Sequence, residues 1–366
     1  MTPPVSPLQT FALGLVLVAA AGCAPIGMWD RGETEALRVR VQALEARLQA
    51  VESDQAQMAA MLNRVRPAIA YIRGTYTFID ADGRPLRHVL NDVGEPVADP
   101  HGVPLVDLTG TGPVAVTNYC GTAFLVGREG ELLTNRHIAQ PWWEDEASAP
   151  LFAAGLQPIF LRLRAFFQER VEAVPIEVLR VDAEQDIAVV RTVGWVPSAE
   201  PLSIQSQAEP FPEGQPVILI GFPTGLEAML AKLDAPERLA AEAGGAYSYA
   251  TVEYLARTNR LRPSITGGFL WEALPNTLVY DARTTGGGSG GPLLDQQGRV
   301  IGVNRAYLPD FQGGNYAVPI RFGQALLNGG GLPAGGPTRE TPETLVTSAD
   351  REEATLASEG TNQPVK

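Results

Sequence analysis

A glycine-rich segment around Ser289 is the first place where the sequence could do chemistry. Residues 286–292 read Gly-Gly-Gly-Ser-Gly-Gly-Pro. Such a composition usually forms a flexible linker between domains, but this segment lies between Thr277–Tyr280 and Val300–Val303, two short apolar stretches that are typical of strands. A glycine-rich turn inside a β domain lets backbone N–H groups approach a ligand, as an oxyanion site requires. Ser289 is therefore a candidate nucleophile.

The histidines are few enough for each to be considered. There are three, His88, His101 and His137. His137 stands in Thr134-Asn-Arg-His, directly after two predicted strands at 121–126 and 131–134, so its imidazole is expected at a strand end that faces a cleft. His88 and His101 lie in a turn-rich stretch and are expected at the surface. His137 is the candidate general base.

An acid partner for His137 is expected at the start of a buried strand. Asp186 directly precedes Ile187-Ala-Val-Val-Arg, where a polar loop enters an apolar segment. A carboxylate at such a place can be buried against the far nitrogen of an imidazole and fix its tautomer. Asp182 is the nearest alternative, but it lies within the loop and is expected to be a solvated turn residue.

The order of these residues along the chain discriminates between hydrolase classes. Gly287-Gly-Ser-Gly-Gly also fits the nucleophile elbow of α/β-hydrolases, in which the histidine follows the serine. No histidine follows His137, which excludes that class. A subtilisin-like order would place the serine at the start of a helix, whereas residues 292–300 are typical of strand, turn and strand. The order His, Asp, Ser remains.

Four motifs together resemble those of trypsin-like serine proteases, most closely the bacterial HtrA-like and glutamyl-endopeptidase branch. They are Gly121-Thr-Ala-Phe-Leu-Val, Thr134-Asn-Arg-His, Asp186-Ile-Ala-Val-Val and Gly287-Gly-Ser-Gly-Gly-Pro-Leu. Asp281-Ala282 and Asn315-Tyr-Ala-Val-Pro match the same branch. The resemblance covers residues 68–322 and implies two six-stranded β-barrels with the site in the cleft between them.

The resemblance implies a role for each matching residue. Ser289 would be the nucleophile, His137 the general base and then acid, and Asp186 the residue that orients the imidazolium. The N–H groups of Gly287 and Ser289 would form the oxyanion hole. The implied reaction is hydrolysis of a peptide bond in a polypeptide substrate through an acyl-enzyme, with neither cofactor nor metal.

The sequence departs from the family immediately before the serine, where Asn or Asp is usual and Gly288 stands here. We therefore expect an unusually free oxyanion loop that substrate or a partner orders. The resemblance also places Arg283 and Tyr316 at the primary specificity pocket. Arg283 would favour an acidic side chain there, or it would point away or pair with a neighbouring carboxylate.

Composition excludes several other kinds of chemistry. The 366 residues include two cysteines, Cys23 and Cys120, and two lysines, Lys232 and Lys366. The two cysteines and three histidines, at their spacings, cannot build a Cys/His zinc site, and the motif HExxH is absent. So few lysines leave little for a Schiff base, a Ser–Lys dyad or a Walker loop. The net charge of −13 repels phosphate backbones and argues against nucleic-acid binding.

The N-terminal residues predict export. Phe11–Gly22 is apolar but shorter than the ~20 residues that span a membrane. It ends in Ala20-Ala-Gly-Cys23, which resembles the lipid-accepting site of bacterial lipoproteins, although Ala20 replaces the usual leucine and no Lys or Arg precedes the apolar run. We expect a lipid on Cys23 and a place in the periplasm, at the outer membrane. The alternative is an ordinary cleaved signal peptide.

Residues 33–66 predict a long helix that begins after Asp30 and ends at Pro67. Its apolar residues follow a heptad pattern interrupted once by Gln55: Leu37, Val41, Leu44, Leu48, Val51, Met58, Leu62 and Val65. The g and e positions pair Arg40 with Glu45 and Arg47 with Glu52, as in a parallel coiled coil. We expect a homo-oligomer formed through this helix. The alternative is a single amphipathic helix that packs on the catalytic domain.

The predicted organisation has four parts: an export signal at 1–22, an anchor and coiled coil at 23–66, a mainly β protease domain at 67–328 and a disordered acidic tail at 329–366. Within the protease domain, residues 80–113 are expected to form an inserted hairpin or loop, and residues 153–174 and 226–260 are expected to be helical.

The leading hypothesis is an exported serine endopeptidase that serves envelope protein quality control or regulated proteolysis. The alternatives are a catalytically silent scaffold that binds peptides and a structural envelope lipoprotein.

Overall fold

Short apolar segments between Gly and Pro turns form the strands of the protein. The computed structural model describes residues 31–205, 211–243, 245, 248–307 and 314–333. The strands are β1 (Ile69–Ile79), β2 (Arg87–His88), β3 (Val106–Asp107), β4 (Thr117–Leu125), β5 (Glu131–Thr134), β6 (Gln157–Phe167), β7 (Val174–Val181), β8 (Ala188–Thr192), β9 (Pro216–Gly221), β10 (Ser264–Ala273), β11 (Leu278–Tyr280), β12 (Pro292–Leu294), β13 (Val300–Tyr307), β14 (Asn315–Pro319) and β15 (Leu332–Pro333).

Two antiparallel barrels contain most of these strands. The first has the order β7-β6-β1-β4-β5-β8 and closes because β7 also pairs with β8. The second has the order β10-β11-β14-β13-β12-β9 and closes through β9 and β10. Closure removes the unpaired edges that a twisted open sheet would expose. The predicted mainly β class with two six-stranded barrels is confirmed.

The helices are short, apart from the first. They are α1 (Arg31–Val65), α2 (Arg136–Ala139), α3 (Ala149–Ala153), α4 (Leu226–Leu230), α5 (Ala235–Glu242), α6 (Tyr249–Arg257) and α7 (Ile320–Leu327). The expectation of helix at 226–260 is confirmed by α4, α5 and α6. Both α5 and α6 begin with side-chain caps, Asp234 and Ser248 respectively.

The expectation of helix at 153–174 is wrong. β6 occupies most of that stretch, because Ile159, Leu161 and Leu163 are buried while the residues between them are more exposed. This alternation has the period of a strand. The arginines Arg162 and Arg164 alternate with Leu161 and Leu163, which is itself the pattern of a half-buried strand.

The last turns of α1 belong to the protease core. The chain divides into two compact units, residues 1–57 and 58–366. In the second unit, Met61 and Val65 are buried in the main core cluster, and Met58 and Leu62 pack against it. The final heptad positions of the helix thus contribute to the barrel core, although they precede residue 67, where the protease domain is predicted to begin.

Residues 80–105 form three successive turns of one design. Asp80, Asn91 and Asp99 are each followed by glycine three residues later and proline five residues later. In every turn the side-chain Oδ1 accepts hydrogen bonds of 2.8–3.0 Å from the N–H groups two and four residues ahead. β2 and β3 pair at the base of this excursion. The predicted inserted hairpin is thus a tandem repeat of Asx turns.

The described chain continues past the predicted end of the protease domain, since β15 pairs with Arg180 and Val181 at the end of β7. The export signal, Cys23 and residues 334–366 of the predicted tail lie outside the described residues. No helix among the described residues is long and apolar enough to cross a membrane.

The packing of α1 gives a testable prediction for stability. Val65 is 2% exposed in the core, so Val65→Asp buries an unpaired charge and should lower the free energy of unfolding by about 3–5 kcal/mol. Asn63→Asp, an exposed change in the same helical turn, should cost at most about 1 kcal/mol. Thermal and denaturant unfolding of the full chain measure both. Equal stabilities of the two variants would contradict the assignment of this turn to the core.

Candidate active site

His137 and Asp186 form a hydrogen-bonded pair. His137 lies in α2, which follows β5 directly, and Asp186 lies two residues before β8. His137 Nδ1 is 2.7 Å from Asp186 Oδ2, and the His137 backbone N–H donates to Asp186 Oδ1 at 2.9 Å. Asp186 is 1% exposed. A buried carboxylate on Nδ1 holds the ring with Nε2 free to accept a proton.

The neighbours of His137 fix the loop that carries Asp186. The buried Asn135 side chain donates to the Asp186 carbonyl at 2.8 Å. Arg136 donates to the Asp182 and Ala183 carbonyls at 2.7 and 3.1 Å. Asp182 itself accepts the N–H groups of residues 184 and 185 at 2.9 Å, so its carboxylate caps its own turn and Asp186 is the carboxylate that contacts the histidine.

The turn that carries Ser289 depends on two glycines with positive φ. Gly287 and Gly290 both have φ of 84°, a region that glycine alone adopts without strain. Thr122 on β4 holds this turn from the first barrel. Its Oγ1 donates to the Gly287 carbonyl at 2.8 Å, and its N–H donates to the Ser289 carbonyl at 2.8 Å.

Asn304 on β13 supports the serine turn from the second barrel. Its carbonyl accepts from the Gly290 N–H at 2.8 Å, and its N–H donates to the Gly291 carbonyl at 2.9 Å. Its side chain accepts from the Tyr280 hydroxyl at 2.7 Å and donates to Thr284 Oγ1 at 3.2 Å. Asn304 is 1% exposed, so these bonds form in a dry environment that strengthens them.

The serine turn presents two free backbone donors. Within the described residues, neither the Gly287 N–H nor the Ser289 N–H donates to another group of the chain. Paired N–H groups of this kind can bind a developing oxyanion. In the same described part, the Ser289 hydroxyl donates to the Arg305 carbonyl at 3.1 Å and makes no hydrogen bond to His137.

The space around Gly288 is narrow. A Cβ at this position would lie 2.3 Å from Thr284 Oγ1 and 3.1 Å from the Thr285 carbonyl. The Thr284 side chain thus occupies the space into which a side chain at 288 would extend. The expectation that substrate or a partner orders this loop stays a prediction.

The two residues predicted for a specificity pocket lie on or beside strands β11 and β14 of the second barrel. Arg283 is exposed and lines a surface depression with Asp281, Phe269 and residues 266–268, and this lining does not include Ser289. Tyr316 is half-buried on β14, paired with Val279 on β11. Their predicted role in substrate specificity stays a prediction.

The remaining rare residues lie outside the His–Asp–Ser constellation. His101 is exposed in the third Asx turn, and His88 is half-buried in β2. Cys120 is a free thiol on β4. Burial raises the pKa of the Cys120 thiol, outweighing a hydrogen bond with Tyr71 and the charge of Arg73 that lower it, so the group remains protonated at neutral pH.

Sequence reasoning missed Thr122, Asn304 and Arg305. Arg305 lies on β13, and its Nε is 3.5 Å from Asp186 Oδ2. Thr122 is within the quoted Gly121-Thr motif, but its contact with the serine turn, at Gly287, lies 165 residues away along the chain. Only the folded chain brings these residues to the site.

The glycines of the serine turn provide a matched test of this geometry. A Cβ on Gly290 would lie 2.0 Å from the Thr122 carbonyl, whereas a Cβ on Gly286 meets no atom within 4 Å. Gly290→Ala should therefore destabilise the protein by about 3 kcal/mol or more through strain and overpacking. Gly286→Ala should change stability by less than about 1 kcal/mol. Chemical denaturation measures the free energy of unfolding of both variants. A Gly290→Ala protein as stable as wild type would refute this turn conformation.

Comparison with known proteins finds relatives that are named as proteases. HhoB of Synechocystis sp. is 27% identical over 210 residues, covering 56% of this chain and 38% of the relative. The serine protease PepD of Mycobacterium tuberculosis is 27% identical over 191 residues, covering 51% of this chain and 33% of the relative. This chain therefore spans well under half the length of these two relatives.

A solved structure of the serine endoprotease from Yersinia pestis aligns with a TM-score of 0.42 at 15% identity, covering 74% of this chain and 65% of that one. The family model described as the trypsin-like peptidase domain matches residues 121–303, half of the sequence. On that match, the chain belongs to the trypsin-like peptidase family.

Proposed function

We propose that this protein is a serine endopeptidase that uses Ser289, His137 and Asp186. The observation that carries the proposal is the 2.7 Å contact between His137 Nδ1 and the buried Asp186, in a chain whose serine turn leaves two N–H groups free. The relative PepD is named a serine protease. A polypeptide is the proposed substrate.

The proposed reaction begins with attack of Ser289 Oγ on a peptide carbonyl while His137 Nε2 takes the hydroxyl proton. The imidazolium is stabilised by Asp186, and the tetrahedral oxyanion is bound by the N–H groups of Gly287 and Ser289. His137 then protonates the leaving amine, and an acyl-enzyme remains on Ser289. Water, activated by the same imidazole, attacks the ester and releases the second product.

One conformational step precedes this chemistry. The Ser289 hydroxyl donates to the Arg305 carbonyl at 3.1 Å, so it must rotate about its χ1 bond to donate to His137 instead. Rotation of an exposed hydroxyl between staggered positions is fast and costs little. In the proposed reaction this rotation precedes the attack on the substrate.

The same hydrogen bond supports the alternative of a catalytically silent scaffold that binds peptides. In that case the serine would stay on the Arg305 carbonyl, and the cleft would bind chain segments without cleaving them. Reaction with an active-site probe separates the two hypotheses, because a fluorophosphonate reacts with an activated serine only.

We also propose that the protein is exported and tethered to the envelope through Cys23, and that it acts there in quality control or regulated proteolysis. Support comes from the apolar run before Ala20-Ala-Gly-Cys23. The same proposal includes self-association through the N-terminal half of α1, whose apolar residues are exposed in the described chain.

Those residues are half-exposed or more: Leu37, Val41, Leu44, Leu48 and Val51 are 50–62% exposed. A run of large apolar side chains at heptad spacing, flanked by Arg40, Glu45, Arg47 and Glu52, matches the interface of a parallel coiled coil. The extent of the interface differs from the predicted 33–66, because Met58, Leu62 and Val65 pack in the protease core. A second copy of this chain is the proposed partner.

The catalytic proposal predicts that two variants lose enzymatic activity to different extents. Ser289→Ala should abolish labelling by a fluorophosphonate and peptide hydrolysis. Asp186→Asn should lower kcat about 10⁴-fold, because the amide stabilises the wrong imidazole tautomer. Labelling and hydrolysis of an unfolded protein substrate by the full chain measure both effects. Unlabelled Ser289 in wild type, with peptides still bound, would favour the scaffold.

The proposed self-association through α1 predicts that substitutions in its apolar residues change the oligomeric state. Leu44→Glu combined with Leu48→Glu puts like charges at adjacent d and a positions, so the chain should become monomeric. Ala46→Glu, at the outward f position of the same heptad, should leave the oligomer intact. Sedimentation equilibrium gives the mass. A monomeric wild type would overturn the proposed self-association.

A further inference from the structure

Arg305 contacts both halves of the proposed catalytic apparatus. Its carbonyl accepts the Ser289 hydroxyl at 3.1 Å. Its Nε lies 3.5 Å from Asp186 Oδ2, and an Nη atom lies 3.9 Å from Glu144 Oε2. Arg305 belongs to β13 of the second barrel, whereas Asp186 and Glu144 follow strands of the first. The side chain therefore crosses the cleft.

Asp186 needs a compensating charge. Its side chain is 2% exposed, and a buried carboxylate is costly unless paired and hydrogen-bonded. His137 supplies two hydrogen bonds but no charge while its ring is neutral. Within the described residues, Arg305 is the arginine that lies at ion-pair distance from Asp186. At 3.5 Å its effect is mainly Coulombic.

The other charged residues near the pair make contacts of their own. Arg136 donates to the carbonyls of residues 182 and 183 and stacks on Trp143, 4.7 Å from the ring centre. The Asp182 carboxylate caps its turn. Glu144 is 63% exposed and faces Arg305. Arg136 also attracts the Asp186 carboxylate, but among the described residues it is the Arg305 guanidinium that comes within 4 Å of it.

We propose that Arg305 is a positioning residue that keeps Asp186 ionised beside a neutral His137, so that the imidazole can accept the Ser289 proton near neutral pH. This inference rests on the proposed function. Without the guanidinium, the buried carboxylate would be balanced by protonation of His137, and a protonated imidazole cannot act as a base. The charge also offers a reason for arginine at this place, since a neutral residue would leave Asp186 with hydrogen bonds alone.

The test compares Arg305→Gln and Arg305→Lys with wild type and with Arg191→Gln, a matched loss of a surface ion pair to Glu177. The rate of Ser289 labelling and kcat/KM for peptide hydrolysis are measured from about pH 5 to pH 9. For Arg305→Gln we expect the acid limb of both profiles to move up by about one pH unit, with about tenfold lower activity below it. Lysine should restore most of the wild-type profile, and Arg191→Gln should match wild type.

A second readout does not depend on activity. Histidine labelled with ¹³C and ¹⁵N gives signals from three residues, and the His137 signal is assigned by its loss in His137→Asn. Its NMR titration in full-length Ser289→Ala should show protonation at higher pH when Arg305→Gln is added. If wild type is inactive but the titration still moves, the proposed function fails and the role of Arg305 stands. An unmoved titration and acid limb, or a change confined to KM, would overturn the inference.

Discussion

The geometry of the site depends on the hydrogen bonds of Thr122, because they join the two barrels where the proposed reacting groups meet. This fully buried residue donates to the carbonyls of Gly287 and Ser289 and accepts from the N–H of Phe222, all in the second barrel. Its carbonyl accepts from Thr134 on the strand that leads to the histidine. Each unmade bond at a buried position costs about 1–3 kcal/mol, so the serine turn and the histidine strand are held as one unit.

The barrels supply rigidity, and short irregular segments supply the functional groups. His137 lies in a helix of four residues, Asp186 in a loop and Ser289 in a turn, each next to a barrel strand. Such segments can adopt the unusual backbone that the site needs, including φ of 84° at Gly287. Because their ends are fixed by closed sheets, the short segments have little freedom to move.

The parts of the site that lie in contiguous motifs could be predicted from sequence, and the contacts between distant segments could not. His137, Asp186 and Ser289 each stand beside an apolar strand, so their place at strand ends was visible. Arg305 gave no such signal, because its meaning comes from Asp186, over a hundred residues earlier. Gly288 suggested a free loop, yet the space for its side chain is taken by Thr284. The spacing of residues along the chain indicates neither the contact of Arg305 with Asp186 nor the position of Thr284 beside Gly288.

The two interpretations of the N-terminal heptads turn out to be compatible. A pattern with a period of 3.5 residues serves equally as a coiled-coil interface and as the apolar stripe of a packed helix. In α1 the residues from Leu37 to Val51 are exposed, while Met61 and Val65 are buried in the protease core. A virtual Cβ on Gly298 would lie 2.7 Å from Met61 Cγ, which shows how closely the helix end fits the second barrel's β12–β13 turn. One continuous pattern thus serves both an exposed apolar stripe and a helix end buried in the protease core. Only the tertiary contacts show where along the helix the exposed stripe ends.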